Sequence, residues 1–230
     1  MRRATADPEV VGARGRAEIS RRRRAEIVAA AATALGRLGS ADTSMKEIAR
    51  EAGVAPGLLH YYFASKGELL VAVVAELGGQ ITDTWTSAME GIEDPLERLV
   101  AGLDAAALLS ARHPEVWRAL SDLSVLSLSD PALVEPCRAL RVRFAAAIEA
   151  EARGALGRLP AYTLVSPRNL AAAIAAAIEG AALGSLVDGR DASAHFQALK
   201  VMVLSLVVAA YVTAAQEPPV ARLAQLLRPR

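Results

Sequence analysis

Asp94-Pro95, Asp130-Pro131 and Ser166-Pro167 each join a side chain that caps a helix N-terminus to a proline suited to the first helical turn. Such start signals matter because nowhere does the chain show sustained apolar and polar alternation with β-branched enrichment, whereas apolar spacings of three and four recur from residue 27 onward. The fold is therefore expected to be all-α. His113-Pro114 divides the region after Asp94 into two helices, residues 194–215 form another, and Leu223, Leu226 and Leu227 mark a brief helical tail beyond Pro218-Pro219. About nine main helices result, with no internal repeat. Aromatic residues make up only 4% and alanine is abundant, so an Ala/Leu/Val core is expected.

Several function classes are excluded. One cysteine, Cys137, forms no intrachain disulfide, and His60, His113 and His195 are too scattered for a metal site. There is no Gly-rich phosphate loop and no paired-carboxylate motif, so neither catalysis nor a cofactor is expected. A reducing cytoplasm is the simplest compartment. The longest uncharged apolar stretch, Val201 to Ala215, is short of the roughly 20 residues that span a bilayer, so no membrane partner is expected. Arg21 to Arg24 followed by Val28 to Ala32 imitates a secretory leader, but Glu26 interrupts it and the stretch continues as an amphipathic helix.

The charge is unevenly placed. Residues 1–67 hold 12 Lys/Arg against 7 Asp/Glu, while the whole chain is only +1. A basic head on an acidic body points to a polyanion partner for the head. Three segments follow: residues 1–18, with Pro8, Gly12 and Gly15 and no periodicity, as a flexible basic arm; 19–66 as a nucleic-acid-binding head; and 67–230 as a larger helical bundle.

The head carries the most specific pattern. The first helix presents Ile27, Ala31, Ala34, Leu35 and Leu38 on one face and stops at Gly39. Ser44-Met-Lys-Glu47 is a capping box, Gly53 permits a left-handed turn, and Pro56 opens a second short helix in which Leu59 and Phe63 face inward. Ser65-Lys-Gly-Glu68 is a second capping box. This is the grammar of a helix-turn-helix, and it leaves Gly57, Leu58, His60 and Tyr61 facing away from the core. Such side chains are where a second helix meets base edges in the major groove.

Residues Thr43 to Leu70, with Ile-Ala, Ala-Gly-Val, Tyr-Phe and Ser-Lys in order, resemble the DNA-binding signature of TetR-family regulators, a likeness that covers residues 25–70. It implies contacts to double-stranded operator DNA from Ser44, Pro56, Gly57, Leu58, His60, Tyr61, Tyr62 and Lys66, with Ser44 and Lys66 on phosphates and Tyr62 also able to pack inward. Thr43 within the motif, and the run Arg21, Arg22, Arg23 and Arg24 by its charge beside the helix-turn-helix, are further candidates, a solvated helix start being the alternative for the arginines. Ala55, Leu58 and His60 depart from the usual residues at their positions and leave the operator sequence open. His113-Pro-Glu-Val-Trp117 and Asp130-Pro131 are similar, more loosely, to the C-terminal domain of BetI-like members. The resemblance implies a homodimer and a repressor released from a palindromic operator by a small ligand. A regulator that activates, or acts without a ligand, is the alternative within this class, and a helical membrane-surface protein is the alternative outside it.

In the larger segment, residues 171–184 are rich in alanine and glycine and residues 201–211 are apolar all round, which requires cover on every side. A second copy supplies it in a two-fold four-helix bundle, with Ala177, Ala181, Gly184, Val203, Val207 and Tyr211 at the interface. Candidate ligand contacts are Trp85, Met89, Trp117, Ser121, Ser124 and Phe144, the two serines offering hydroxyls to a mainly apolar cavity. For each of the aromatic residues a plain core role stays open.

Overall fold

A computed structural model describes residues 8–156, 166–189 and 191–227, with side chains from Ala17 onward. The described residues form ten helices and no strand: α1 (Pro8–Leu38), α2 (Met45–Glu51), α3 (Pro56–Tyr62), α4 (Lys66–Ser87), α5 (Pro95–Arg112), α6 (Pro114–Leu126), α7 (Pro131–Leu156), α8 (Pro167–Asp188), α9 (Ala192–Thr213) and α10 (Val220–Leu226). The all-α reading holds, and the brief tail is α10. Prolines stand in the first turn of α3, α5, α6 and α8, and Asp94 and Ser166 accept backbone N–H bonds as caps.

The first helix is longer than expected. Residues 8–18, assigned from the sequence to a flexible arm, are the start of α1; residues 1–7 of that arm lie outside the described residues. The described side chains from Ala17 to Glu26 bury no apolar face for periodicity to register. Charge pairs support its continuation instead, Arg21 with Glu18 and Arg22 and Arg23 with Glu26, each pair worth a few tenths of a kcal/mol. Burial begins at Ile27 and follows Val28, Ala31, Ala34 and Leu35.

α1 packs on α6 and α4, and α7 lies along α8 and α4. One core runs from Ile27 on α1 to Val203 on α9, so the helix-turn-helix and the bundle share it. A smaller cluster of Leu96, Val100, Leu156, Leu204, Val207, Leu223 and Leu226 holds α10 against α5, α7 and α9. Where α1 crosses α6, a Cβ on Gly36 falls 2.7 Å from both the Cβ and the carbonyl oxygen of Glu115, leaving room for no side chain. Gly36→Val is therefore expected to lower stability by about 1–3 kcal/mol through overpacking, read as a lower midpoint of thermal unfolding.

The α8–α9 pair corrects two expectations. Val203 and Val207, assigned to a dimer interface, face the protein's own interior, Val203 in the main core and Val207 in the smaller cluster. Ala177, Ala181, Gly184 and Tyr211 are half-buried, and the outward apolar residues are Leu183, Val187, Val201, Met202, Leu206 and Val212. α9 is also not apolar throughout its depth. Lys200, which limits the uncharged run counted in the sequence, is buried and ion-paired to Asp104 of α5. α8 and α9 are nonetheless each long and apolar enough to cross a membrane by length and composition. Only about a third of each such stretch is buried within the chain, the remainder forming an outward face.

Candidate functional site

Two places gather the predicted site residues. In the first, Ser44 caps α2: its hydroxyl accepts from the Glu47 N–H at 3.2 Å, and the Glu47 carboxylate accepts from the Ser44 N–H at 2.9 Å. These bonds to Ser44 hold the Glu47 carboxyl below its ordinary range. Gly53 takes φ +63 in the turn, and Pro56 starts α3 behind Ala55, which offers no side-chain cap. At α4 the second box is altered: Ser65 accepts from the Glu68 N–H, but the Glu68 carboxylate takes the N–H of Ala64.

Leu59 and Phe63 are fully buried and anchor α3. Pro56, Gly57, Leu58, His60 and Tyr61 are exposed, Tyr61 by 77%, a high value for a large ring with no structural duty. Tyr62 is half-buried against the core and meets Tyr61 edge-on at 5.1 Å. Arg24 lies over the Phe63 ring at 4.6 Å, which brings the α1 arginines beside α3. Arg21, Arg22 and Arg23 are exposed, and their ion pairs with Glu18 and Glu26 are weak at such exposure.

Two of the predicted DNA contacts are placed otherwise. Thr43 is 1% exposed and its hydroxyl donates to the Gly39 carbonyl at 2.6 Å, so it closes the α1–α2 turn from inside. Lys66 is half-buried and its ammonium donates to the Ser40 carbonyl. Sequence reasoning passed over Lys46 and Arg50, which are exposed on α2 and line a surface hollow with Ser44 and Pro56. Their signal was available: both lie across the helix from the buried Ile48.

The second place is a cavity of about 290 Å³ among α4, α6, α7 and α8. Of the predicted contacts, Trp117, Ser121, Ser124 and Phe144 line it, beside Ile81, Leu120, Cys137 and Leu140. Trp85 and Met89 do not; both are core residues, and Trp85 packs edge-on behind Phe144 at 5.5 Å and against Gly102. The Trp117 indole N–H is buried without a hydrogen-bond partner among the described residues. Arg141 of α7 and Glu179 of α8, both lining the cavity, pair with each other. Burial pushes the Cys137 thiol up, partly offset by Ser127 and by the charge of Arg141, so it is a weak nucleophile at neutral pH.

The two places are joined. Asp122, next to Ser121 on α6, accepts the N–H of Ser40, whose carbonyl is held by Lys66 at the start of α4. The turn between α1 and α2 is thus tied to a wall of the cavity.

The model of bacterial regulatory proteins of the tetR family matches residues 27–73, the span from the α1 core through α2 and α3 into α4. Over that span the chain is similar to the tetR family of bacterial regulatory proteins. Over 79 residues, 34% of this chain, it is 43% identical to the HTH-type transcriptional regulator BetI of Rhizobium meliloti (strain 1021), and over the same length 38% identical to BetI of Brucella anthropi. Those stretches are 39% and 41% of the two regulators, so the chain matches about two-fifths of the length of these curated relatives. In fold it is similar to the TetR transcription regulator of Haloarcula marismortui, with TM-score 0.67 and 22% identity over 77% of this chain and 94% of that one. It is likewise similar to a transcriptional regulator of Saccharomonospora viridis in complex with choline, with TM-score 0.69 and 20% identity over 78% of this chain and 94% of that one. The likeness in fold to these regulators therefore extends through the helices that build the cavity.

Proposed function

We propose that the protein is a cytoplasmic, homodimeric transcription regulator that binds a palindromic operator through α3 and is released from it by a small, mainly apolar ligand held in the α4–α8 cavity. The observation that carries this reading is the exposed face of α3, Leu58, His60 and Tyr61, set on a buried anchor and flanked by Lys46, Arg50 and the α1 arginines. Side chains with no core role on a rigid short helix read base edges, while the surrounding cations meet phosphates. Ser44 and Gly57 approach the backbone. Lys66 holds the Ser40 turn and acts on the head through it. Two copies joined through α8 and α9 place two such helices about 34 Å apart, or a multiple of it, on pseudo-symmetric half-sites.

Ligand control is supported by the cavity, by the choline bound to the Saccharomonospora viridis regulator, and by the Asp122–Ser40–Lys66 connection between cavity and head. A ligand that favours one position of α6 over another shifts the head by its differential affinity for the two states and no more. The looser likeness of residues 113–131 to BetI-like members names no ligand.

The test is a selection of bound duplexes from a random pool, followed by titration of the selected site. Tyr61→Ala is expected to weaken the selected site by about 1–3 kcal/mol, the scale of a lost base contact, with an unchanged unfolding midpoint. Arg50→Ala is expected to weaken selected and unrelated duplexes alike and to reduce the salt dependence by about one phosphate's worth. A pool that yields no preferred sequence removes the operator reading.

A further inference from the structure

We propose that the ligand cavity is a two-chain site, its mouth closed by the α8–α9 face of a second copy. The inference rests on the dimer reading above. Ala176, Gly180 and Leu183 line the cavity, and the same three residues, spaced four and three apart, are exposed on the outer stripe of α8. Val187 continues that stripe and is 77% exposed. A Cβ on Gly180 meets nothing within 4 Å, so this side of the cavity wall stands open. α9 extends the surface with Met202 and Leu206, both exposed, and its His195 lies beside Gly184 of α8.

Charge selects the occupant. Between Arg168 and Asp188, α8 carries one charged residue, Glu179, and Arg141 neutralises it; α9 carries only Lys200, which Asp104 neutralises inside the fold. The outward face thus carries no unpaired charge between Asn169 and Val187 of α8 or along α9. A complementary partner must be uncharged over a similar length, and the same face of a second copy meets that demand under a two-fold axis. Because the stripe and the cavity mouth share residues, any copy seated on the stripe lies over the mouth. Ligand release then requires the dimer to open there, and an occupied cavity favours the closed dimer by linkage.

Cys137 is the only cysteine and lines the cavity, which makes it a reporter of the mouth. The probe is a bulky aromatic disulfide, dithiobis-nitrobenzoate, with methyl methanethiosulfonate as the small reagent. Met202→Arg lies outside the cavity and places a charge on the outward face. It is expected to sediment as a folded monomer whose Cys137 reacts on the order of tenfold faster with the bulky reagent, since access governs the rate, and much less accelerated with the small one. Dilution of the wild-type protein through its dimer dissociation range is expected to give the same change, which keeps the test open should the variant not fold. A monomer with unchanged bulky-reagent kinetics overturns the two-chain cavity and leaves the dimer standing. Equal acceleration of both reagents also overturns it, by assigning the effect to general loosening. A wild type that is monomeric throughout, or that is drawn from solution by neutral phosphatidylcholine vesicles, overturns the dimer and this proposal together.

Discussion

Leu206→Arg is expected to yield a folded monomer with operator affinity reduced about 10²–10⁴-fold, the scale lost when two linked binding modules act singly, whereas Val207→Arg is expected to lose most of the stability of the fold itself. The two positions are adjacent in α9 but differ in what they meet. Leu206 is 49% exposed on the outward face; Val207 is 4% exposed among Leu96, Val100, Leu156, Leu204 and the α10 leucines. An arginine at 206 reaches water in the monomer and loses that water only when a second copy docks. At 207 the charge has no partner within the cluster, and an uncompensated buried charge costs about 3–5 kcal/mol, a large part of a typical domain's stability. Circular dichroism, sedimentation and operator titration separate the outcomes. A Leu206→Arg protein that stays dimeric with full operator affinity removes α9 from the interface.

This contrast also marks the limit of what was legible in the sequence. Periodicity assigned Leu59 and Phe63 to the interior of the second short helix, and both are fully buried. Local signals were sufficient there, because Ser44, Glu47, Gly53 and Pro56 act within a few residues of themselves. In α9 they were not. A helix apolar on every side does not reveal which side its own chain covers, so Val203 and Val207 were assigned to a partner when the main core already encloses Val203 and residues of α5, α7 and α10 enclose Val207. Trp85 and Met89 fail for the same reason: both are apolar and near the cavity helices, yet Phe144 stands between Trp85 and the space. Thr43 belongs to the family motif, but its hydroxyl is committed to the Gly39 carbonyl across the turn. No pattern of residue spacing predicts such a commitment, since it depends on how the turn folds back on α1.

The cavity shows what long-range packing adds. Trp117, Ser121 and Ser124 share one face of α6 and were legible as a group, whereas Cys137, Arg141 and Glu179 enter from α7 and α8 through tertiary contact alone. α6 matters twice over, because its other side carries Asp122 to Ser40 and Glu115 to Gly36. A single helix therefore touches both the cavity and the helix-turn-helix head, which is the least machinery that the proposed ligand control would require.

The second large effect is expected at Lys200. Its ammonium is buried and paired with Asp104, while the other carboxylate oxygen of Asp104 is buried with no hydrogen-bond partner among the described residues. Lys200→Met removes the cation and keeps most of the volume, so any loss of stability reports the carboxylate left behind. About 3 kcal/mol is expected, the low end for breaking a buried pair, since the Asp104 side chain is 31% exposed and draws some relief from water. Replacing both partners, Lys200→Met with Asp104→Leu, is expected to restore most of that loss, because an apolar pair in the same space carries no desolvation penalty. Equilibrium denaturation of the wild type, the two single variants and the double variant forms the cycle. Single and double variants of equal stability leave no role for the pair. Recovery in the double variant assigns Lys200 to specificity rather than stability: with Asp104 it joins α5 to α9 and so fixes which face of α9 turns inward, leaving Met202 and Leu206 on the outside.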